Sequence, residues 1–313
     1  MIKYVARRVL GMAAVLFIVA ILVFTITRLA PGDPAAVMLG DQATPDDIAA
    51  LRAVYGLNKP IATQFLIWLG QVLHGNLGQS IFLQRPVTQA LWERAEPTGL
   101  LTLISLSIAL LIGLPCGITS AVFRGKWIDQ VFTGVAMVGA SIPSFWFGLI
   151  LMQIFAVGLG WFPVAGYGDP GVGLMVRVHH LILPSTVLGV LNSALIIRFT
   201  RASMLDVLGD DYIRTARATG LPEYRVILKH ALRNALIPVL TVIGLTAALL
   251  LGGAVVTETV FGLPGIGNLV VSAVLRRDYP VIQGALLVIA AMYVLVNLTI
   301  DLAYLVIDPR VKY

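Results

Sequence analysis

Residues 234–257 read NALIPVLTVIGLTAALLLGGAVVT, a stretch without a single Asp, Glu, Lys or Arg. Because an α-helix rises 1.5 Å per residue, such a stretch is long enough to cross the roughly 30 Å hydrocarbon core of a bilayer. The whole chain of 313 residues shares this bias, with 58% hydrophobic and only 12% charged residues and a mean hydropathy of +0.91. A soluble domain carries roughly 25% charged residues. The composition therefore predicts a membrane protein and excludes an ordinary soluble enzyme.

Five further charge-free windows are long and apolar enough to span a membrane: 9–27, 97–123, 130–168, 178–197 and 279–300. The window 130–168 has 39 residues, too many for one upright span and too few for two, which predicts one broken or tilted helix. A seventh window, 60–84, is too rich in Gln, Asn, His and Gly to span, and 65–73 is interpreted as a short amphipathic or interfacial helix. The expected fold is an all-α integral membrane protein with six transmembrane helices.

The distribution of positive charge predicts the orientation. With six spans and the N-terminus inside, 14 of the 22 Lys and Arg residues fall on the cytoplasmic side, where short loops retain them. We therefore expect N-in and C-in topology, which also accounts for the net charge of +6 without nucleic acid. The first span resembles a secretory signal, but its 19 charge-free residues and the turn predicted at 31–34 favour a retained anchor over a cleaved signal.

The inner loop 198–233 carries strong helical punctuation. Asp210 or Asp211 can cap a helix that runs to about Thr219, and Gly220 supplies the left-handed residue that ends it. A second helix is expected to begin at 221–223, with a proline in its first turn, and to continue into span five.

The short helix in this loop is expected to be roughly 13 Å long, a length that could fill a cleft in a partner protein. Its small residues, Ala216 and Ala218, would let a partner approach closely. The alternative is an ordinary basic loop that lies on anionic lipid, since the segment has seven cations and four acids.

Two stretches of this loop carry a family resemblance. Residues 211–221, DYIRTARATGL, and 229–238, KHALRNALIP, resemble the cytoplasmic signature of binding-protein-dependent ABC importer permeases, most of all the B-type subunit of dipeptide and oligopeptide importers. Further similarity lies in YVARRVL at 4–10, LAPGDP at 29–34, ETVFGLPGIG at 258–267 and RDYP at 277–280. Two departures from the general signature, Arg214-Thr215-Ala216 for Glu-Ala-Ala and Leu232-Arg233 for Leu-Pro, are typical of the peptide-importer branch.

The resemblance implies a type I ABC importer permease fold and a half-pore. The implied partners are a second homologous permease, two cytoplasmic ATP-binding subunits that carry ATP and Mg, a periplasmic solute-binding protein and membrane lipid. No cofactor is expected in this chain, which lacks a phosphate-binding loop ending in Gly-Lys-Ser or Thr. The residues expected to couple to the ATPases are Asp211, Tyr212, Arg214, Thr215, Ala216, Arg217, Ala218, Gly220 and Leu221.

The resemblance also suggests a division into three parts. Residues 1–29 would form a cytoplasmic tip and the first transmembrane helix, and 30–98 a periplasmic segment with short helices. Residues 99–313 would form a five-helix permease core with the cytoplasmic coupling loop 198–233. Within the outer segment, the sequence Thr-Pro-Asp-Asp at 44–47 predicts a helix start.

Catalytic, cofactor-binding and metal-binding residues are not expected. The four histidines form no metal-spaced set with acids or cysteine, and His179 and His180 are interpreted as interfacial packing residues. A membrane enzyme would need a nucleophile with a base, or clustered metal ligands, at membrane depth. A secondary transporter would show paired repeats and midplane carboxylates, which the sequence does not.

Polar residues and helix breakers within the spans are candidates for the translocation pathway. Asn192 and Asn297 either line the pathway or make interhelical hydrogen bonds; Glu258 either faces its mouth or caps local backbone. Asp301 either pairs with Arg198 or is solvated at a helix end. Breaks are expected at 141–144 and at Gly252-Gly253, as movable elements or as packing features. The candidate pathway residues are Ser141, Pro143, Asn192, Glu258, Asn297 and Asp301.

These expectations point to a permease subunit that imports dipeptides or oligopeptides across a bacterial inner membrane. Related importers carry nickel, glutathione, opines or sugars, so the same architecture for another solute is the alternative. An ATP-independent secondary transporter is less favoured.

Overall fold

The computed structural model describes residues 2–29, 44–54, 58–169 and 171–307. In these ranges regular structure is helical, apart from an isolated antiparallel bridge between Gln79 and Pro86. The helices are α1 Ile2–Leu29, α2 Pro45–Val54, α3 Ile61–Leu73, α4 Val87–Val122, α5 Trp127–Ser141, α6 Ser144–Leu151, α7 Leu174–Leu208, α8 Asp211–Ala218, α9 Glu223–Arg225, α10 Leu232–Val260, α11 Ile266–Leu275 and α12 Tyr279–Ile307. Two π-helical segments, Met152–Gly158 and Val226–Ala231, follow α6 and α9.

Five long apolar helices and one bent pair match the predicted spans. The five are Arg8–Leu29, Val87–Val122, Leu174–Leu208, Glu223–Val260 and Tyr279–Leu302, and the pair is Trp127–Ser141 with Ser144–Gly158. The helices extend beyond the charge-free windows because backbone hydrogen bonds within a helix do not depend on the bilayer. The all-helical fold with six candidate spans is therefore confirmed, while the predicted turn at 31–34 lies outside the described residues.

The break in the third span occurs where the sequence predicts it. Helix α5 ends at Ser141, and α6 begins at Ser144 after a bend of 103°. Pro143 lacks a backbone N–H and disfavours a helical conformation at the preceding residue, and Ile142 is accordingly extended with φ −82° and ψ 126°. Proline therefore converts one span into two half-helices.

The break predicted at Gly252-Gly253 is wrong. Helix α10 continues through both residues from Leu232 to Val260. A Cβ added at Gly252 would meet nothing within 4 Å, so no close contact requires glycine there. The irregularity in this span lies instead at its inner end, in the π-helical segment Val226–Ala231.

Two compact units are distinguished, and the three helices α4, α11 and α12 each run from one unit into the other. The first unit comprises Met1–Glu96 and Asn268–Val294, the second Pro97–Gly267 and Leu295–Tyr313. The helix start predicted at 44–47 is confirmed by α2, which begins at Pro45. The short helix predicted over 65–73 corresponds to α3, which ends at Leu73 but begins earlier, at Ile61. The three-part division of the chain stays a prediction.

In the first unit, aromatic packing joins α1 to α3. The ring of Phe24 lies 5.4 Å from that of Phe65 and 5.5 Å from that of Trp68, measured between centroids. A hydrogen bond from Gln283 Nε2 to Thr27 Oγ1 links α12 to α1. The predicted interfacial helix is thus an integral part of this unit.

A buried carboxylate organises the turn before α4. Asp278 is 2% exposed and accepts hydrogen bonds from Ser80 Oγ at 2.5 Å and from the backbone N–H groups of Ile81 and Phe82 at 3.2 and 3.1 Å. Three donors satisfy the charge that burial would otherwise penalise. Asp278 therefore fastens this turn to the residues that precede α12.

In the second unit, glycines allow α4 and α7 to pack closely. A Cβ at Gly117 would lie 2.6 Å from Thr200 Cβ, and one at Gly113 would lie 2.6 Å from Ile196 Cγ2. A Cβ at Gly189 would similarly lie 2.7 Å from Ile108 Cβ. Small residues at such positions are the usual means by which membrane helices approach one another.

Candidate functional site

The short helix predicted in the inner loop is α8. Asp210 occupies the N-cap position with extended backbone, although its side chain makes no capping hydrogen bond. Gly220 has φ +79°, the left-handed conformation that the sequence predicts for the residue ending the helix. Both ends of α8 therefore lie where the local sequence places them.

One face of α8 packs on the rest of the second unit. Ile213 has no exposed surface and contacts a cluster that includes Met204 at the end of α7 and Val226 and Ala231 in the π-helical segment. Ala216 is half-buried and packs against the same cluster. The small residue that α8 exposes to a partner is therefore Ala218, whereas Ala216 faces inward.

Polar contacts hold α8 at both ends. The Tyr212 hydroxyl accepts a hydrogen bond from Asn234 Nδ2 at 2.7 Å and donates to the His230 carbonyl oxygen at 3.4 Å. Arg217 Nη2 lies 2.7 Å from Glu223 Oε1. Through this hydrogen bond, the Glu223 carboxylate raises the pKa of Arg217, which therefore stays charged. The helix is fixed to the first turns of the fifth span.

The opposite face of α8 is open to solvent. Arg214, Thr215 and Ala218 are exposed, as is Asp211, whose carboxylate lies 3.3 Å from Arg214 Nη1. Leu221, just beyond the helix, is half-buried against the Ile213 cluster. A polar, partly basic face on an anchored helix can bind a protein partner or anionic lipid headgroups, the two alternatives that the sequence leaves open.

An ion pair that was not predicted lies near this region. The Asp129 carboxylate in the first turn of α5 is 4% exposed and receives hydrogen bonds from Arg201 on α7, from Ser120 Oγ and from the Gly125 backbone N–H. The only signal in the sequence was the isolated acid two residues after Trp127. The pair joins the broken span to the helix that leads into α8.

Glu258, a candidate for the pathway, is completely buried. Its Oε1 accepts a hydrogen bond from Thr98 Oγ1 at 2.6 Å, and Thr98 Oγ1 in turn accepts one from the Ile266 backbone N–H at 2.9 Å. A Cβ added at Gly265 would collide with the Glu258 carboxyl group. Of the two alternatives, this geometry is that of a buried group that holds local backbone.

A cavity of about 610 Å³ borders the break in the third span. Ser141 and Pro143 both line it, together with Met137, Val138, Ile142, Phe145 and Trp146. The Ser141 hydroxyl is already used, since it donates to the Met137 carbonyl oxygen at 3.0 Å. This cavity is therefore mainly apolar.

A second cavity of about 370 Å³ also borders this break and shares Ile142 with the first. It contains Asn192, a predicted pathway residue, and is lined by Gly139, Ala140, Ile142, Ser144, Leu188, Leu191, Asn192, Ala194, Leu195, Arg198, Leu249 and Gly253. The cavity thus brings residues of three spans together, with the Asn192 amide, the Ser144 hydroxyl and the Arg198 cation as its polar groups.

The two remaining pathway candidates lie elsewhere. Asn297 and Asp301 on α12 are half-buried and line neither of these two cavities. Arg198 makes no ion pair with any residue that the structure describes, so of the two alternatives for Asp301 the pairing with Arg198 is not formed. His179 and His180 contact the carbonyl oxygens of Trp161 and Gly166 at 3.1 and 3.0 Å, as expected of packing residues.

The fold and this site define a class of protein. Several apolar helices make the chain a multi-pass membrane protein. Within the described residues no group of three or more His, Cys, Asp and Glu side chains is placed to hold a metal ion. A broken span beside two cavities, combined with a short exposed helix between spans four and five, is the arrangement of a transport permease.

Comparison with known proteins identifies the family. Residues 113–313 match the binding-protein-dependent transport system inner membrane component, and residues 1–94 match the N-terminal part of such membrane components. This chain belongs to that family and is a permease subunit of an ABC importer.

Individual relatives and solved structures agree with this assignment. The chain is 45% identical to a probable peptide ABC transporter permease of Sinorhizobium fredii, covering 99% of both chains. It is 44% identical to a glutathione transport system permease of Salmonella choleraesuis and 46% identical to one of Pectobacterium atrosepticum, each over the full length of both chains. A chain of the inward-facing MetNI methionine ABC transporter shares the fold, with a TM-score of 0.59 at 18% identity over 70% of this chain and 97% of that chain.

Proposed function

We propose that this permease subunit moves dipeptides or oligopeptides from a periplasmic binding protein into the cytoplasm, across the inner membrane of a bacterium. Relatives named for peptide and for glutathione transport match the chain from end to end, which supports a peptide-like substrate. Glutathione is the second candidate, since it is itself a tripeptide. Nickel, opines and sugars are the remaining alternatives.

The observation that carries the coupling mechanism is the two-sided character of α8. Its inner face is fixed by the fully buried Ile213, while Arg214 and Ala218 stay exposed on its outer face. Two ATP-binding subunits, one of them docked on this face, would supply the energy, and ATP and Mg would be bound by them. This chain would then act without a catalytic site or cofactor of its own.

The contacts of α8 determine where motion is transmitted. If ATP binding draws the two ATPases together, a load on α8 passes through Ile213 to Met204 at the end of α7. It also passes through Tyr212 to Asn234 near the start of α10. Spans four and five would move as a result. The 370 Å³ cavity beside the broken third span, closed on its other side by a second permease, would then open alternately to the two faces of the membrane.

The docking test uses Ala218→Trp, which places a bulky ring on the exposed face. Ala216→Trp is less suitable because Ala216 packs inward and its substitution would also disturb the cluster around Ile213. Asp169→Trp is the matched control, since Asp169 is exposed in the loop between the third and fourth spans. Co-purification of the ATPases and substrate-stimulated ATP hydrolysis in vesicles should fall for Ala218→Trp only. Unchanged docking and hydrolysis would show that the exposed face of α8 does not contact an ATPase.

The substrate test uses the partner binding protein and the reconstituted transporter. We expect dipeptides or short oligopeptides to raise the melting temperature of the binding protein and to be taken up in an ATP-dependent manner. Glutathione, nickel, an opine and a sugar are measured in parallel. If one of these compounds is taken up and peptides are not, that compound is the substrate and the peptide proposal is wrong.

A further inference from the structure

The cavity of about 370 Å³ beside the broken third span contains a cation, Arg198, without a counter-charge among the described residues. Arg198 is exposed on α7 and makes no hydrogen bond or ion pair with the described part of the chain. Arg198 directly follows the charge-free window 178–197, at the inner end of span four, where a cation faces water or a partner. None of the residues lining this cavity is acidic. Its described lining therefore supplies no anion.

A polar acceptor lies about 1.7 helical turns away in the same cavity. Asn192 donates from Nδ2 to the Leu188 carbonyl oxygen at 2.8 Å, which leaves its side-chain Oδ1 as an acceptor without a partner among the described residues. Six residues of helix separate Asn192 from Arg198, or roughly 9 Å along the axis at 1.5 Å per residue. Two extended residues of peptide span roughly 7 Å.

Apart from Ser144, the remaining residues that line the cavity carry no polar side chain. Leu191, Leu195 and Leu249 line the cavity, whose volume of about 370 Å³ falls within the roughly 300–1,000 Å³ that small-ligand sites occupy. Apolar walls contact side chains of different shapes without selecting one sequence. Selection would then rest on the polar groups, of which Arg198 carries the only charge in the described lining.

We infer that this cavity is a transit site for a carboxylate-bearing solute. Arg198 binds the substrate carboxylate through its planar guanidinium, and Asn192 Oδ1 accepts a hydrogen bond from a substrate N–H. A free peptide satisfies both groups, with its carboxyl end directed toward the inner half of α7. This inference rests on the proposed function and narrows it to a substrate class: peptides, glutathione and opines carry the carboxylate, whereas nickel and sugars do not.

The residues that line the cavity also argue against a metal ion as cargo. None is Asp, Glu, His or Cys, the side chains that bind transition metals. An uncompensated guanidinium repels a divalent cation at close range. A carboxylate meets neither obstacle. Arg198 attracts its negative charge, and it requires no metal-binding side chain.

The test compares two substrates that differ only at the carboxyl group, alanyl-leucine and its C-terminal amide. The complete transporter is reconstituted in vesicles, with the binding protein saturated by each peptide according to its separately measured Kd. Loss of a hydrogen bond to a charged group costs roughly tenfold or more in rate. The unmodified transporter should thus move the acid about tenfold faster than the amide. Arg198→Gln should lower the acid rate to that of the amide and leave the amide rate unchanged.

Two further variants separate recognition from a structural role. Arg198→Lys keeps the charge and should retain part of the preference for the acid. Arg124→Gln removes an exposed cation of the α4–α5 loop, outside the cavity, and should leave the preference intact. An equal fall for acid and amide in Arg198→Gln, or no change for either, overturns the inference.

Failure of the proposed function would have a different signature. If the unmodified transporter moves neither peptide, the peptide assignment is wrong. The same acid and amide comparison is then made with glutathione and its C-terminal amide. Loss of that preference in Arg198→Gln supports the carboxylate site, and its retention overturns it. A transporter that moves only nickel or a sugar also overturns it.

Discussion

Asp129 and Arg201 form a bidentate ion pair, with Arg201 Nε 2.6 Å from Oδ1 of Asp129 and Nη2 2.8 Å from Oδ2. The carboxylate is almost entirely buried, and the Gly125 backbone N–H donates to it at 2.9 Å. Every contact lies within the second unit. The pair therefore fixes the first half of the broken span to α7, the helix that precedes α8.

Breaking this pair on one side should destabilise the protein. Asp129→Asn leaves the partly buried Arg201 without its counter-ion, and removal of one partner from a buried pair costs about 3–5 kcal/mol. The matched control is Glu93→Gln, because Glu93 pairs with Arg85 at 2.7 Å in an exposed position, where a pair contributes about 0–1 kcal/mol. Thermal unfolding of the purified subunit in detergent should show a large loss for Asp129→Asn only. Equal losses would contradict a special role for the buried pair.

Close packing of α4 on α7 should depend on Gly117. A methyl group there would lie 2.6 Å from Thr200 Cβ and 2.9 Å from the Ile197 carbonyl oxygen, so Gly117→Ala should cost about 1–3 kcal/mol of stability. Gly134→Ala is the control, since a Cβ at Gly134 would meet nothing within 4 Å and alanine favours helix. The unfolding midpoint should fall for the first variant and stay level or rise for the second. A tolerated alanine at 117 would mean that the two helices pack less closely.

Glu258 and Gly265 should behave as a coupled pair. Gly265→Ala forces a methyl group against a buried carboxylate that Thr98 holds in place and should be strongly destabilising. In the double variant Glu258→Ala with Gly265→Ala, the obstructing carboxylate is gone. The double loss should therefore be smaller than the sum of the single losses by about 1–3 kcal/mol. Additive losses, measured by unfolding, would show that the two residues do not meet.

Membrane topology is open to cysteine labelling. On a Cys116→Ser background, Asp169→Cys should react with a membrane-impermeant maleimide in intact cells stripped of their outer membrane. Ala218→Cys should react only after permeabilisation, because the positive charge of the loops places α8 inside. Both side chains are exposed in the structure, so burial does not limit the reaction. Labelling of Ala218→Cys in intact cells would reverse the orientation.

The left-handed end of α8 provides a test of local backbone. Gly220 has φ +79°, and a Cβ added there would meet nothing within 4 Å, so substitution introduces backbone strain without a steric clash. Gly220→Val should cost about 1–2 kcal/mol locally and reduce coupling between substrate and ATP hydrolysis. Gly220→Asn, which tolerates this conformation better, should retain more activity. If Gly220→Val and Gly220→Asn had similar effects, the positive φ of Gly220 would not be the cause of the loss.

The sequence alone determined the features that depend on neighbouring residues. Charge-free windows predicted the spans because burying apolar side chains in lipid is a property of each segment by itself. Pro143 predicted the break in span three and Gly220 the end of α8, since both restrict or release their own backbone. The break predicted at Gly252-Gly253 was wrong because glycine permits a bend without requiring one. The backbone hydrogen bonds of α10 continue through both residues.

Only the tertiary structure decided which distant residues meet. Asp129 and Arg201 are 72 positions apart, and Thr98 and Glu258 are 160 apart, so no periodicity in the sequence joins them. Whether Ala216 or Ala218 is exposed, and whether Glu258 faces water or backbone, depends on how helices pack. Side chains in a packed interior are selected by shape and by the satisfaction of polar groups across the whole unit, and a linear sequence does not display those neighbours.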